Sequence, residues 1–462
     1  MMNQAIENIR DKAKKIAEII KSEKGKIQVV THHDADGICS GTIMYKALEI
    51  IGKDFQIDVV RQLEDNIIQE LSSKDADLFI FTDLGSGQKE NINKYLSDRK
   101  VVIADHHTVS EYSAENINEL NCHDFGIDGK DEVSGAGMTY FLCREITPKI
   151  CESVEFTLIG AAGDTQKKNG QFKTINKYLF EEADRNGRIK VINGLRLFGR
   201  FTRPLHKSLM YLDRPKIPNV NSNESGAIQM MNDLEIPAKK TNGDWTRLHD
   251  LSKEEESRLT IEIILRSELV DNKDYLTGNV YVLTNDHELR EFATMLNACG
   301  RLGKGKDGLD LCLGKKDNID DTLREYRQKI AKYLNWVSRN KESIIHKKNG
   351  AYLVARDKID ENFIGTIMSI ISKSADNKMK IMFGFANSDN GVKVSGRVDS
   401  SLDGIVDIDM AIRKVVEEIG GEGGGHSLAA GAKIAQGVEL EFIEKIDLLL
   451  DYDQKKNTLS NI

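Results

Sequence analysis

The sequence predicts an α/β protein in three parts: an N-terminal domain on a parallel sheet (1–207), a helix-rich bridging region (208–345) and a smaller C-terminal α/β domain (346–455). Three observations predict it. Short apolar runs alternate with helical spacings through the first 110 residues, the pattern of parallel strands joined by crossover helices. From about 208 to 345 several amphipathic helices follow, and strand-like runs return after Gly350. At 462 residues the chain exceeds what one compact core accommodates, so two or three domains are expected.

Ala5, Ile6, Ile9, Ala13, Ile16, Ile19 and Ile20 repeat at helical spacing and give a helix over 4–22. Residues 26–31 read as a short buried strand and 38–51 as a helix. Strands follow at 55–60, 77–82 and 100–104, separated by helices near 64–73 and 87–97. In such a sheet, ligands bind beyond the carboxyl ends of the strands. Ser134-Gly135-Ala136-Gly137 opens a helix over 134–145 with small residues, which lets backbone N–H groups approach an anion. A helix over about 150–162 then runs into Gly163-Asp164. Amphipathic helices fill the bridging region, the last over about 318–344. In the C-terminal domain strands are expected at 351–355, 379–385 and 392–398, and the run Gly420 to Gly425 as a packed turn. The last ten residues read as frayed.

Composition excludes several classes. No apolar run approaches the length of a membrane span and no charged-then-apolar leader begins the chain, so a cytoplasmic protein without a membrane partner is expected. The six cysteines form no C-x-x-C pair and read as free thiols in a reducing compartment. A net charge of −8 rules out a protein coated in positive potential, so any nucleic-acid contact must come from a local basic tract. One exists. Arg185, Arg188, Lys190, Arg196, Arg200, Arg203 and Lys207 occur with no acidic residue among them, and Phe198 and Phe201 interleave. Backbone tracking and base stacking on a single strand need that combination, although a solvated helix face has the same composition.

Four motifs carry the chemistry: His32-His33-Asp34-Ala35-Asp36-Gly37, Thr82-Asp83-Leu84-Gly85, Asp105-His106-His107 and Gly163-Asp164-Thr165. The first three fall just past predicted strands. His32, Asp34 and Asp36 alternate, so an extended segment aims them one way; an Asx turn capping the next helix is the plain alternative. Asp83 could equally cap a helix, and Asp164 could simply close one. Carboxylates with imidazoles suit Mn²⁺ or Mg²⁺, and four clusters at one sheet edge are enough for two cations and phosphodiester hydrolysis.

Taken in order, the motifs resemble the DHH phosphoesterase superfamily, with Asp105-His106-His107 as its triplet. Gly423-Gly424-Gly425-His426-Ser427-Leu428-Ala429-Ala430-Gly431 resembles the GGGH hallmark of the DHHA1 domain. The likeness covers roughly 26–165 and 350–435, and Leu296-Asn297-Ala298-Cys299-Gly300-Arg301 with the long insert resembles archaeal RecJ-like exonucleases, including those associated with GINS. The resemblance implies one Mn²⁺ or Mg²⁺ at His32, Asp34 and Asp83, and a second at Asp36, Asp83, His106 and Asp164. It implies further that His107 contacts the scissile phosphate and that Asp105 orients a histidine. Bacterial RecJ has Asp where His32 stands. Ser134, Ser395, Arg397, Gly423, Gly424, Gly425 and His426 would hold substrate, as would Arg196, Arg200 and Arg203 of the basic tract. The glycine run has P-loop spacing, but His426 stands where a P-loop needs Lys, which excludes ATP.

The resemblance implies an exonuclease releasing nucleoside 5′-monophosphates from single-stranded DNA or RNA in replication or repair. A nanoRNase or cyclic-dinucleotide phosphodiesterase shares both domains but lacks a large insert. The pyrophosphatase branch lacks the GGGH segment. A scaffold beside a GINS-containing helicase complex is the reading from another class, and the complete ligand set speaks against it.

Overall fold

The structure, a computed structural model, describes residues 2–167, 170–212, 215–267, 276–316, 318–372 and 379–450. The expected frayed tail and the end of the C-terminal domain at 451–455 lie outside them. The chain divides into two compact units, Met1–Leu323 and Arg324–Ile462.

The first unit opens with α1 (Met2–Ser22), β1 (Ile27–His32), α2 (Ala35–Ile50), β2 (Phe55–Val60), α3 (Asp65–Ser72), β3 (Leu78–Thr82), α4 (Lys89–Leu96), β4 (Lys100–Asp105) and β5 (Ile117–Asn121). All five strands pair in parallel in the order β2-β1-β3-β4-β5. Strand order therefore reverses between β1 and β3, where such sheets leave a crevice at their carboxyl edge. The central strands are buried on both faces: all five residues of β3 (Leu-Phe-Ile-Phe-Thr) are buried. α5 (Gly135–Ile146) and α6 (Glu155–Gly163) pack with α1 and α2 in one core, whose Ile9, Ile20, Ile38, Ile43, Leu142 and Leu158 are fully buried. Each such side chain contributes about 1.5–3 kcal/mol of hydrophobic stabilisation.

The unit continues with α7 (Thr174–Arg185), β6 (Ile189–Leu195), α8 (Leu205–Met210), α9 (Glu224–Asp233), α10 (Lys253–Arg266), β7 (Thr277–Leu283), α11 (Leu289–Arg301) and α12 (Gly305–Cys312). β6 and β7 form an antiparallel ribbon, pairing Ile189 with Leu283 and Leu195 with Thr277. α8, α9 and α10 enclose a separate core around Leu205, Leu209, Met230, Met231, Leu259 and Ile263.

The chain enters the second unit along α13 (Asp320–Arg339). Then come β8 (Ile344–His346), β9 (Ala351–Arg356), α14 (Glu361–Ser372), β10 (Ile381–Ser388), β11 (Gly391–Val398), α15 (Ile408–Ile419), β12 (Glu422–His426), β13 (Ala429–Ile434) and α16 (Glu439–Leu449). The sheet order is β12-β13-β11-β10-β9-β8, antiparallel except for β9 with β10. Stacked Tyr352 and Phe383, with Phe385 and Phe442, fill its core, and the Tyr352 hydroxyl donates to Asp447 Oδ1 at 2.8 Å.

The glycine run corrects one expectation. It is not a turn: Glu422–His426 is the edge strand β12, pairing Gly424 with Gly431 and Gly425 with Ala430. A side chain at Gly425 (φ 152°) would strike the backbone of Ala430. All six cysteines are free. Among the described residues no helix is long and apolar enough to cross a membrane.

Candidate metal centre

The carboxyl ends of β1, β3 and β4 bring three of the motifs together, and the end of α6 brings the fourth. Three groups of ligand atoms result, each within 4.8 Å of one another: His32 with Asp34 and Asp83; Asp36 with His106 and Asp164; and Asp83 with Asp105, His106 and His107. Asp83 ends β3 with φ 60°, an uncommon conformation for a residue with a side chain, held by its N–H donating to Ala104 O at 2.9 Å. It caps no helix, since α4 starts at Lys89 behind Gln88. Its carboxylate is 1% exposed, and neither oxygen meets a hydrogen-bond donor among the described residues. Oδ2 lies 3.5 Å from His32 Nδ1, and Oδ1 lies 3.3 Å from His106 Nε2.

His106 shows what the pocket lacks. Its Nδ1 donates to Gly129 O at 2.7 Å, so the neutral ring presents an Nε2 lone pair. That nitrogen faces Asp83 Oδ1 at 3.3 Å, Asp164 Oδ2 at 3.4 Å and Asp36 Oδ2 at 3.7 Å, a gathering of acceptors around one point. Burial opposes charge on the His106 ring, but Asp83, Asp164 and Asp36 outweigh it and lift its pKa well above the usual histidine range. The same crowding acts on the acids. Burial, then Asp83 and Asp164, push Asp36 well above the carboxylate range. Asp164 rises to about 7, through burial first and the charges of Asp34 and Asp83 next, against the pull of His106. The field demands positive charge between them. Carboxylate and imidazole donors around buried, unpartnered atoms fit divalent Mn²⁺ or Mg²⁺.

The remaining ligands are fixed from behind. Asp34 is both cap and candidate ligand: Oδ1 accepts from Gly37 N at 3.0 Å, while Oδ2 sits 3.0 Å from His32 Nδ1. Burial opposes charge there too, yet His32 holds the Asp34 carboxyl far below its usual range. Asp36 accepts from Gly135 N at 2.7 Å and Ala136 N at 2.9 Å. The open end of α5 is therefore filled by the protein's own carboxylate, which corrects the expectation of a substrate anion there. Ser134 is corrected with it. It is fully buried, and its hydroxyl caps α5 by accepting from Gly137 N at 3.3 Å. Asp105 is fully buried and accepts from Ser86 N, His106 N, His107 N and His107 Nδ1, the last at 2.8 Å. His107 thus has one nitrogen tied down and a ring otherwise half exposed.

Residues without chemical groups of their own shape this pocket. A methyl group on Gly160 would collide with Asp36 Oδ1, and one on Gly135 with Asp83 Oδ1. Asn297 Oδ1 accepts from Ala35 N at 3.0 Å, closing the His32–Asp36 loop from α11. Asn297 lies in the Leu296–Arg301 segment that carried the resemblance, whereas nothing local in the sequence marks Gly160.

The basic tract is not a row of uncompensated cations. Arg188 pairs with Glu155, Lys207 with Glu224, and Arg200, 5% exposed, with Glu256. The counter-charges come from other segments, which corrects the solvent-facing strip expected for Arg200. Arg203 stacks over Phe198 and Tyr211 at 5.0 and 5.5 Å. In the second unit Arg397 donates through Nε to Ser369 Oγ (2.7 Å), through Nη1 to Ser395 Oγ (3.0 Å) and Gly396 O (2.7 Å), and through Nη2 to Gly365 O (3.3 Å). His426, at the end of β12, is exposed.

A parallel sheet whose carboxyl edge gathers paired aspartates and histidines, followed by a separate mixed-sheet unit ending in a glycine strand, defines a DHH-type protein in two parts. The N-terminal domain of the DHH family matches residues 26–161, a DHH-CID domain matches 197–273, and a DHHA1 domain matches 348–452. The chain belongs to the DHH/DHHA1 family. An uncharacterized protein of Methanocaldococcus jannaschii is 29% identical over 462 residues, covering 97% of this chain and 99% of that one. Among solved structures, RecJ of Thermus thermophilus in complex with Mn²⁺ aligns over 96% of this chain at TM-score 0.59 and 15% identity. The aligned part is 54% of that RecJ, so this chain spans about half its length. CDC45 from Entamoeba histolytica aligns at TM-score 0.60 and 11% identity over 96% of this chain and 98% of its own. At these identities the likeness is one of fold.

Proposed function

We propose that this protein is a Mn²⁺- or Mg²⁺-dependent phosphodiesterase acting as an exonuclease on single-stranded DNA or RNA and releasing nucleoside 5′-monophosphates. One observation carries the reading: Asp83 turns two buried, unpartnered oxygens toward two different imidazoles. His32, Asp34 and Asp83 would hold one cation; Asp36, Asp83, His106 and Asp164 would hold the other. Two such cations supply an activated water and neutralise charge on the phosphoryl oxygens.

The chain's own groups do the rest. The bond from His107 to Asp105 sets the ring's orientation and turns Nε2 away from it, toward a nonbridging phosphate oxygen. Burial disfavours charge on His107, but Asp105 overrides it and keeps the ring's pKa raised, so the ring can donate. The amides of Gly135 and Ala136 hold Asp36 in place, so the ligand cage is preorganised. In the second unit, Arg397 with Ser369 and Ser395 offers a braced cation for a terminal nucleotide.

A nanoRNase or cyclic-dinucleotide phosphodiesterase would use the same centre on short substrates, and a scaffold beside a GINS-containing complex would not use it at all. Incubating the protein with Mn²⁺ and end-labelled DNA and RNA strands, dinucleotides included, separates the three. Mononucleotide release from long strands is expected. Cleavage of dinucleotides alone, or of nothing at all, would overturn the exonuclease reading.

A further inference from the structure

Lys167 follows Asp164 by three residues. Its ammonium lies 5.5 Å from the centre of the Phe172 ring and 5.3 Å from that of Tyr281. No hydrogen bond or ion pair joins that ammonium to another described residue. Two further cations converge on it from distant segments. Arg196, just past β6, packs its guanidinium against Gly170, where a methyl group would strike it. Arg290, in the first turn of α11, donates through Nη2 to Arg196 O at 3.4 Å and through Nε to Glu288 Oε1 at 2.7 Å. Glu288 is the carboxylate that pulls the Lys167 pKa up, and Arg290 already engages it. Buried Glu291 accepts instead from Phe201 N at 3.3 Å.

Among the described residues Lys167 thus lies beside two other cations, and the acid acting on it is engaged by one of them. Burial, followed by the charges of Arg290 and Arg196, holds the Lys167 pKa at about 7. Lys167 is half-buried; partial withdrawal of an ammonium from water is costly, and its ring contacts offset only part of that cost. A phosphate oxygen would satisfy it with a charge-assisted bond and reverse the mutual repulsion of the cluster. Three residues of chain reach no more than about 11 Å. That ties the cluster to within about three stacked nucleotides, at ~3.4 Å each, of Asp164. The rings behind Lys167 are themselves buried, Tyr281 to 3% and Phe172 to 5% exposure, and offer no face to a base.

We propose that Lys167, Arg196 and Arg290 form a binding site for a backbone phosphate of single-stranded nucleic acid close to the bond to be hydrolysed, blind to base identity. The proposal rests on the phosphodiesterase reading for its substrate, but its test needs no catalysis. Fluorescein-labelled oligothymidylate is titrated with full-length protein in EDTA, over a range of salt, with fluorescence anisotropy as the readout. Lys167→Gln is expected to bind about tenfold more weakly and to flatten the slope of log K against log salt by about 0.7. Lys167→Arg should restore both, and oligoadenylate should bind like oligothymidylate. Melting curves and Mn²⁺ titrations of each variant report the fold. Wild-type affinity and slope in a folded Lys167→Gln, no recovery in Lys167→Arg, or a strong preference between the two oligomers would each overturn the site. A wild type that binds the strand through Lys167 but never hydrolyses it with Mn²⁺ would remove the phosphodiesterase reading alone.

Discussion

At Asp83 two buried oxygens face imidazole nitrogens with no donor between them, whereas the Arg397 guanidinium in the second unit spends all three of its nitrogens on Ser369, Ser395, Gly396 and Gly365. The first arrangement is unstable by itself. Acids crowded enough to lift Asp36 and Asp164 out of the usual range are kept for something they bind. The second is satisfied before any ligand arrives, and costs a ligand little to organise. One region has ligand groups that the proposed cations would complete. The other is a fixed shape.

Asp83→Asn tests the contrast most severely. Hydrolysis should fall by about three orders of magnitude, and the rise in melting temperature on adding Mn²⁺ should vanish. A variant that keeps wild-type hydrolysis, or whose melting temperature still rises with Mn²⁺, would mean that Asp83 holds no metal.

Gly160→Ala comes next. Its methyl group displaces Asp36 without changing any donor, so Mn²⁺ affinity measured by calorimetry should drop about 10–100-fold. An unchanged affinity would show that the cage is soft. Arg397→Ala should leave Mn²⁺ affinity alone and raise KM on linear strands about tenfold. Ser369→Ala, which removes one brace, should move KM in the same direction by less. If kcat alone changes, the braced arginine does not bind substrate.

The smallest effect is on stability. Lys167 has its pKa at about 7 when folded against 10.5 ordinarily, so above pH 7 the unfolded chain binds the proton more readily than the folded one. The folded state therefore carries the full penalty below about pH 7 and sheds it as pH rises toward 10.5. Lys167→Met should raise the melting temperature most at neutral pH and below, with the gain fading in alkaline buffer. A gain that grows with pH would contradict the sign.

How much of this was legible depended on how local the cause was. Phe55–Val60 is bounded as its pattern predicts, and the other strands of the first 110 residues agree within a residue or so, because β1, β3 and β4 are almost wholly buried and so read as largely apolar runs. Ile117–Asn121 escaped, since only Ile117 and Leu120 are apolar and the strand exists through its pairing with β4. The glycine run misled for a related reason. Glycines argue for a turn, and only β13 beside them makes them a strand. The four motifs mark the metal centre because strand ends deliver them. Distant partners do not announce themselves: Glu256 lies 56 residues from Arg200 of the basic tract, and Asn297 lies 262 from Ala35 of the metal centre.

That last separation sets a clock. A ribosome adding about 5–20 residues per second needs on the order of 10–50 s after making Ala35 before Asn297 exists to hold its amide. Arg397 follows its partner Ser369 by 28 residues, a matter of about 1–6 s. The emerging chain therefore exposes its acidic and histidine-bearing loops long before they can be locked, and the unit translated last is the one able to finish its own site almost at once.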